Sequence, residues 1–273
     1  MVDLAVVPVA GQGTRLLPST KSQPKEMLPV GRKPVVQYVV EELARSGVKR
    51  LLFVTGAGKT SIENHFDHNV ELIDFLRETG REDLLVELEF ERMGLDYFYT
   101  RQRKQLGLGH AVLCARPLVG NQSFVVALGD SIIGMNAQSR IVARMAEEFE
   151  RARADAIIAF EEVPREDVVQ YGIAKPREES GAGGVFQLAD IVEKPGVAEA
   201  PSNLAVAARY ILKEAFAVRM KPTGDLDANS PEVAIEELEI AFEELQVMRT
   251  GGGLGQTISS NVVQGTGTKI TTG

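Results

Sequence analysis

Two glycines and two cationic side chains share one loop close to the N-terminus. Gly11 and Gly13 come first, and Arg15 and Lys25 follow. A glycine lets the backbone come close to a ligand and point its N–H groups at an anion. A guanidinium and an ammonium beside such donors form a clamp for a polyphosphate. The spacing therefore predicts a phosphate-binding loop.

The same loop lacks one residue of the dinucleotide-binding fingerprint. That fingerprint has a third glycine three residues after the second one, and Leu16 occupies this position. The loop is therefore poor evidence for a nicotinamide dinucleotide. Its two cations favour a ligand with several phosphates instead.

The elements around the loop predict an α/β fold. An apolar run over 4–10 is typical of a parallel strand buried on both faces, and it leads directly into the loop. Further strands are predicted at 51–54, 97–99, 124–128 and 156–160, and helical stretches at 34–47, 61–66, 69–92, 109–116 and 138–153. This alternation predicts a Rossmann-like open sheet, mixed but mostly parallel, that is flanked by helices.

The rhythm of the sequence changes after residue 162. Strand-like segments at 172–175, 185–193 and 204–212 are separated by turns rich in Gly and Pro. The segment 231–248 predicts a helix, because Ser230 is a suitable N-cap and apolar residues recur on one face.

Three portions follow from these changes. We predict an α/β core over 1–162, a smaller α+β portion of the same fold over 163–248 and a tail over 249–273. Fifteen of the 25 tail residues are Gly, Ser or Thr, and no Asp or Glu follows Glu244. Such a composition supports little core, so the tail is predicted to be disordered.

The whole chain has the composition of a globular protein. Of its 273 residues, 44% are hydrophobic and 25% are charged, and the formal net charge is −8. A nucleic-acid binder usually carries a basic face, so we expect no nucleic-acid partner. No apolar run approaches the roughly 18 residues of a membrane span, and the N-terminus is unlike a signal peptide. With Cys114 as the only cysteine, these features predict a cytoplasmic protein with no membrane partner.

The histidines and the cysteine are predicted to be structural. His65, His68 and His110 have no cysteine or carboxylate partners at the spacing of a zinc site. Cys114 lies on an apolar helix face, where a thiol packs as a small hydrophobic group. We therefore assign capping or packing roles to these four side chains.

Longer stretches of the sequence resemble one enzyme family. The loop over 11–29, GQGTRLLPSTKSQPKEMLP, resembles the signature loop of the nucleotide-sugar pyrophosphorylases, and among them of the bacterial UTP–glucose-1-phosphate uridylyltransferases. Further matches follow in the order of that family, at 37–42, 62–67, 107–115, 129–130, 171–173, 192–195 and 201–205. The resemblance covers residues 5–212 and implies the transfer of a uridylyl group.

The resemblance implies a nucleotide site in the first portion of the chain. Its implied nucleotide-binding residues are Ala10, Gly11, Gly13, Thr14, Gln102 and Gly107, and its implied catalytic residues are Arg15, Lys25 and Asp130. Arg15 and Lys25 would hold the phosphates of UTP. Gln102 would read the uracil, because an amide side chain offers both a donor and an acceptor.

The resemblance also implies a metal and a second substrate. Asp130 follows a predicted buried strand, where open sheets bind ligands, and the matching aspartate of the family holds Mg²⁺, an ion that prefers oxygen ligands. Gly172, Glu193 and Lys194 would bind glucose-1-phosphate. An oxygen of that sugar phosphate would attack the α-phosphorus of UTP in line, and the products would be UDP-glucose and pyrophosphate.

The resemblance ends near residue 213. The family has a further acidic segment there, and Asp225 and Asp227 only loosely match it. One alternative is a weakly active or non-catalytic protein that binds nucleotide sugars on the same scaffold, and another is a thymidylyl-type sugar nucleotidyltransferase. We also expect a dimer or tetramer of identical chains.

Overall fold

Helices and strands alternate along the described part of this computed structural model, which comprises residues 2–134, 138–177, 185–213, 217–222, 235–240, 245–249 and 268–271, with side chains as far as residue 213. The strands are β1 (Leu4–Pro8), β2 (Pro29–Val30), β3 (Lys33–Pro34), β4 (Arg50–Thr55), β5 (Asp96–Arg101), β6 (Phe124–Ala127), β7 (Ala156–Glu162), β8 (Gly172–Pro176), β9 (Val185–Glu193), β10 (Leu204–Leu212), β11 (Ala217–Pro222), β12 (Ile235–Ile240), β13 (Leu245–Arg249) and β14 (Thr268–Thr271). The α-helices are α1 (Val35–Arg45), α2 (Thr60–Phe66), α3 (Val70–Glu78), α4 (Gly107–Val119) and α5 (Ile141–Ala152). Further 3-10 helices lie at Thr14–Leu16, Ser19–Lys21, Lys25–Met27, Glu82–Arg92 and Arg165–Gln170.

One nine-stranded sheet organises the chain, in the order β5-β4-β1-β6-β10-β7-β13-β9-β8. The first four strands of that order run parallel, whereas β10 runs antiparallel to both β6 and β7. β2 and β3 form a separate hairpin, and β11, β12 and β14 form a three-stranded sheet. The mixed, mostly parallel sheet with flanking helices confirms the predicted fold class.

Apolar side chains cover both faces of β1, as predicted for a strand that is buried on both sides. Ala5 and Val7 point to one face, where α1 and α5 pack. Leu4 and Val6 point to the other face, where α4 packs. The period of two along the strand thus places alternate residues in separate hydrophobic cores.

The predicted strands and helices of the core are confirmed, with small shifts at their ends. The stretch 69–92 divides in two, because α3 ends at Glu78 and a 3-10 helix covers Glu82–Arg92. Gly80 lies between them with a φ of 67°, a conformation that commonly ends a helix. Across the described residues, no helix combines the length and the hydrophobicity that a membrane span requires.

Strands β8, β9 and β10 extend the central sheet. β10 lies between β6 and β7, and almost all of its side chains are buried. Both neighbours of β10 belong to the first 162 residues, so the two predicted portions of the fold share one sheet. The boundary at residue 162 stays a prediction.

The helix predicted over 231–248 is wrong where the structure describes that segment. Two strands, β12 and β13, occupy it instead. β13 is hydrogen-bonded between β7 and β9. Backbone pairing with neighbouring strands overrides the helical spacing of the apolar residues there.

The predicted tail contains one described strand. β14 pairs with β12, so disorder is the wrong prediction for Thr268–Thr271. The hydrogen bonds between β14 and β12 satisfy backbone N–H and C=O groups. The polar composition of the tail had given no indication of this partner strand. The tail residues 250–267 and 272–273 lie outside the described residues.

Candidate active site

A cavity of about 440 Å³ lies beyond the ends of β1 and β6. All of the predicted site residues except Gly13 and Thr14 line it, namely Ala10, Gly11, Arg15, Lys25, Gln102, Gly107, Asp130, Gly172, Glu193 and Lys194. β1 and β6 run parallel, so their carboxyl ends open on the same edge of the sheet. Residues of β8, β9 and β10 line the cavity as well.

The loop over residues 11–26, called the glycine loop below, packs around the aliphatic part of the Lys25 side chain. A side-chain carbon added to Gly11 would meet Cε of Lys25 at 3.3 Å, and one added to Gly13 would meet its Cβ at 3.2 Å. Gly13 has a φ of 70°, which glycine adopts without strain. Its carbonyl accepts a 2.7 Å hydrogen bond from the Thr20 hydroxyl. The two glycines thus leave room for Lys25, while Gly13 and Thr14 themselves lie outside the cavity wall.

Two opposite charges of the predicted site meet in the cavity. Nζ of Lys25 lies 2.5 Å from Oδ2 of Asp130, which is 105 residues further along the chain. Both side chains are partly exposed, at 27% and 34%. Arg15 forms no ion pair or side-chain hydrogen bond within the described residues, so its guanidinium is available to an anion in the cavity.

A buried ion pair holds both ends of the glycine loop. Lys59 precedes α2, and its Nζ donates to the Gly11 carbonyl at 2.6 Å and to Oε2 of Glu26 at 2.9 Å. Lys59 is 5% exposed and Glu26 is 1% exposed. Burial raises the pKa of Glu26, and the hydrogen bond and charge of Lys59 partly oppose that shift. Sequence reasoning missed Lys59, because no local pattern marks a contact across 33 residues.

The turn between β5 and α4 holds a buried amide at the cavity. Gln102 follows β5 and is 6% exposed. Its Nε2 lies 3.0 Å from the Gly107 carbonyl oxygen and 3.0 Å from Nδ1 of His110. Gly107 has a φ of 88°, which a residue with a side chain rarely adopts. The turn therefore depends on glycine at this position.

Gly172, Glu193 and Lys194 lie together in the cavity wall. A side-chain carbon added to Gly172 would lie 3.1 Å from Oε2 of Glu193, so the glycine leaves room for that carboxylate. Nζ of Lys194 lies 3.5 Å from Oε1 of Glu193. Lys194 has a φ of 44°, and its backbone N–H donates to the Tyr171 carbonyl at 3.0 Å. Backbone strain of this kind clusters at ligand sites.

A second buried ion pair holds together the elements next to the cavity. Arg209 of β10 is 0% exposed and donates to Oε2 of Glu42 in α1 at 2.7 Å. The same guanidinium donates to the backbone carbonyls of Ser131 at 2.9 Å and Ala208 at 3.0 Å. Ala208, with a φ of 55°, lies where the register of β10 shifts and lines the cavity. The pair thus joins α1, β10 and the loop that carries Asp130.

Other cavity residues were not predicted from the sequence, among them Gln105, Tyr171 and Tyr210. Nε2 of Gln105 donates to the Ala10 carbonyl at 2.6 Å. Burial, with Glu193 nearby, raises the pKa of Tyr210, so its hydroxyl stays protonated. Gln105 and Tyr210 are of types common in loops and strands, and no signal in the sequence marked them, whereas Tyr171 lies in the matched block 171–173 without having been assigned to the site.

The predicted structural residues have different surroundings. The ring of His65 stacks on Phe90 with centroids 4.8 Å apart, and His68 contacts Glu91 at 2.8 Å. The stacking on Phe90 confirms a packing role for His65, whereas the side chain of His68 is 55% exposed and pairs with Glu91 instead of packing in the core. Burial raises the pKa of the Cys114 thiol, as expected of a packed, unreactive cysteine. His110 instead contacts the site residue Gln102.

The cavity offers one predicted metal ligand, the carboxylate of Asp130. The described residues contain no group of three or more His, Cys, Asp or Glu side chains that could hold a metal by themselves. Mg²⁺ commonly takes one or two carboxylates and completes its shell with water and substrate phosphates. Asp130 therefore fits an ion that shares its ligands with a bound nucleotide. Asp225 and Asp227, the sequence candidates for a second carboxylate, lie outside the described residues.

Comparison with known proteins places this geometry in a family. The sequence profile of the Nucleotidyl transferase family matches residues 4–249. A protein of Methanocaldococcus jannaschii, provisionally named a UTP–glucose-1-phosphate uridylyltransferase, is 47% identical over 224 residues, which are 82% of this chain and 76% of that protein. The UTP–glucose-1-phosphate uridylyltransferase of Staphylococcus haemolyticus is 42% identical over 211 residues, 77% of this chain and 72% of that protein.

A solved structure shares the fold as well. The UTP-bound UGPase from Acinetobacter baumannii superimposes with a TM-score of 0.76 at 36% identity, and the match covers 93% of this chain and 87% of that one. The motif blocks from 11–29 to 201–205 all lie within the residues that the family profile matches. The chain belongs to the nucleotidyl transferase family.

Proposed function

We propose that this chain makes UDP-glucose and pyrophosphate from UTP and glucose-1-phosphate. The observation that carries the proposal is a single cavity lined by Arg15, Lys25, Asp130, Glu193 and Lys194. The first three side chains suit a triphosphate and its metal, and the last two suit a sugar phosphate. Relatives named for this reaction and a UTP-bound structural neighbour support the same assignment.

The nucleotide binds against the end of β1 and the glycine loop. Arg15 and Lys25 neutralise the phosphates, and Gly11 lets the backbone approach them. The phosphates compete with Asp130 for Lys25, whose ion pair lies inside the cavity. Lys25 then gains a phosphate partner, and the carboxylate of Asp130 becomes available to Mg²⁺. Bound there, the ion would add positive charge beside the phosphates.

Glucose-1-phosphate binds beside Glu193 and Lys194. The ammonium of Lys194 pairs with its phosphate, and the carboxylate of Glu193 accepts hydrogen bonds from the sugar hydroxyls. Gly172 keeps the space in front of Glu193 open. The protonated hydroxyl of Tyr210 adds a donor to the same cavity.

The reaction depends on positioning and charge neutralisation more than on proton transfer. A phosphate monoester is already a nucleophile, so one of its oxygens forms a bond to the α-phosphorus of UTP without a general base. The bond from the α-phosphorus to the bridging oxygen breaks, and pyrophosphate leaves with the electron pair. Arg15 and Lys25 offset the negative charge that shifts onto the phosphate oxygens.

A pyrophosphate-release assay with UTP, Mg²⁺ and glucose-1-phosphate tests the proposal. We expect pyrophosphate and UDP-glucose in equal amounts, and neither product when one substrate is omitted. Faster turnover with dTTP than with UTP would favour the thymidylyl alternative. UTP binding without any pyrophosphate release would favour the non-catalytic alternative.

Location and assembly also remain proposals. We expect the chain to act in the cytoplasm and to form a dimer or tetramer of identical chains. Light scattering of the purified protein checks the assembly, and a monomeric mass at assay concentration would contradict it.

A further inference from the structure

The amide of Gln102 is held from two sides. A carbonyl oxygen only accepts hydrogen bonds, so the group 3.0 Å from the Gly107 oxygen is the NH₂ of Gln102 and not its carbonyl. The same nitrogen lies 3.0 Å from Nδ1 of His110. Each of its two hydrogens therefore has an acceptor, provided that Nδ1 carries a lone pair.

A neutral His110 ring with its proton on Nε2 would meet that condition. The Cys114 sulfur lies 3.9 Å from the same Nδ1, and because a thiol donates and accepts weakly, this contact suits either tautomer. Burial lowers the pKa of His110, which keeps the ring neutral at about pH 7.

One group of Gln102 is then left for a ligand. Oε1 of Gln102 has no hydrogen-bond partner within the described residues. It is not one of the fully buried polar atoms that lack a partner, so the oxygen is accessible from the cavity. The side chain lines the cavity and is otherwise buried. An oxygen fixed in this way accepts a hydrogen bond from the imide N–H of uracil or thymine. The matching ring nitrogen of cytosine has only a lone pair, which the oxygen repels.

We propose that His110 is a positioning residue that makes Gln102 an acceptor toward the nucleobase and so favours UTP over CTP. This inference rests on the proposed function, because it takes UTP as the ligand. Without the Nδ1 lone pair, one of the two hydrogen bonds that hold the NH₂ is lost. The amide then turns more readily about its last side-chain bond, and the turned amide presents N–H groups that suit cytosine.

Two substitutions of His110 test the role of its lone pair. His110→Phe keeps an aromatic ring without the acceptor, whereas His110→Asn places an amide oxygen near the position of Nδ1. We expect His110→Phe to raise the KM for UTP about 10-fold, to narrow the ratio of kcat/KM for UTP over CTP by a similar factor and to leave kcat within about twofold, the size of effect that one hydrogen bond carries. In His110→Asn, the ratio of kcat/KM for UTP over CTP should return most of the way to the wild-type value.

His68→Phe is the matched control, because the ring of His68 contacts Glu91 at an exposed position. We expect this variant to keep the wild-type ratio of UTP over CTP. An unchanged ratio in folded His110→Phe would overturn the proposal. A ratio of UTP over CTP in His110→Asn that stays as low as in His110→Phe would also overturn it.

Two measurements separate this inference from the proposed function and from folding defects. Calorimetric binding of UTP and CTP needs no turnover, so a chain that binds UTP without releasing pyrophosphate still reports on His110. Nitrogen-15 NMR of the wild-type histidine rings reads the protonation of Nδ1 directly, even if His110→Phe does not fold. An unprotonated Nδ1 supports the proposal, and a proton on Nδ1 overturns it.

Discussion

The ion pairs inside the cavity determine which of its cationic side chains are available to a phosphate. Lys25 and Asp130 neutralise each other at 2.5 Å, whereas Arg15 has no charged partner within the described residues. The positive field that attracts a triphosphate therefore comes largely from Arg15. Lys25 contributes once a phosphate replaces the carboxylate beside it.

Arg15→Ala should lower kcat by about 10²–10³-fold, the loss typical of one preorganised donor to a developing charge. Steady-state pyrophosphate release at saturating substrate measures the effect. Arg32→Ala is a suitable control, because Arg32 forms an exposed pair with Glu87 at 3.1 Å and should keep normal turnover. Near-normal turnover in Arg15→Ala would remove Arg15 from the mechanism.

Lys194→Ala should raise the KM for glucose-1-phosphate by about 10–100-fold, as expected when a hydrogen bond to a charged group is lost. The KM for UTP should stay close to the wild-type value, because Lys194 is assigned to the other substrate. Substrate titrations of the two variants Lys194→Ala and Lys213→Ala make the comparison. Lys213 is 51% exposed and 3.6 Å from Asp155, so its loss should change neither constant. Equal rises in both KM values would contradict the assignment of Lys194.

Site residues were predictable where several residues that suit one ligand lie close together in the sequence. Gly11, Arg15 and Lys25 share one loop, and their types alone indicate a phosphate ligand. Lys59 and Arg209 were not predictable, because their carboxylate partners are 33 and 167 residues away. Only the folded sheet brings those charges together, and a lone Lys or Arg in a sequence is usually a surface residue.

At the scale of elements, the glycine loop owes its shape to the start of α2. Lys59 holds the carbonyl of Gly11 and the carboxylate of Glu26 at once. The loop between these two residues carries Arg15 and Lys25, so its ends are fixed while its middle stays partly exposed. This arrangement keeps the two cations at the cavity and still lets them meet a ligand.

Lys59→Met should lower the free energy of unfolding by about 3–5 kcal/mol at neutral pH, because it leaves Glu26 as an unpaired buried charge. Chemical denaturation followed by circular dichroism measures the loss. Arg77→Ala is the control, since the exposed pair of Arg77 with Asp74 should contribute less than about 1 kcal/mol. A loss in Lys59→Met as small as that of the control would contradict the buried role of Lys59.

The deficit of Lys59→Met should also shrink as the pH falls. Burial raises the pKa of Glu26 above the value of 4.5 for a free side chain, and removal of Lys59 raises it further. A carboxyl with a raised pKa binds its proton more tightly in the folded state, so acidification toward 4.5 stabilises that state relative to the unfolded chain. A deficit that grows between pH 7 and that value would contradict this linkage.

Elements were predictable where the apolar pattern has one interpretation. Apolar runs such as 124–128 predicted buried strands correctly, because few other structures bury every side chain in a row. The segment 231–248 was mispredicted, because its apolar spacing also suits strands and the deciding partners of β13 are β7 and β9. Pairing over such distances leaves no local signal.

At the scale of the whole molecule, β10 joins the two predicted portions of the fold. It follows residue 162 in the sequence, yet it pairs with β6 on one side and β7 on the other. Arg209, on this same strand, adds the buried pair with Glu42 of α1. Removal of β10 would therefore expose core on both sides of it.

Thermal unfolding should accordingly show a single cooperative transition for the central sheet. Far-ultraviolet circular dichroism follows the backbone, and tyrosine fluorescence follows side chains because the sequence has no tryptophan. The two probes should give the same midpoint. Two well-separated transitions would mean that 1–162 and 163–248 unfold independently.

A crystal structure of the chain with UTP and Mn²⁺, in the absence of sugar phosphate, tests most directly whether the cavity is a uridylyltransferase site. The expected result is a triphosphate in contact with Arg15 and Lys25, and an anomalous Mn²⁺ peak between a phosphate oxygen and the carboxylate of Asp130. A triphosphate bound outside this cavity would contradict the proposed function. So would a metal held elsewhere while Lys25 and Asp130 stay paired.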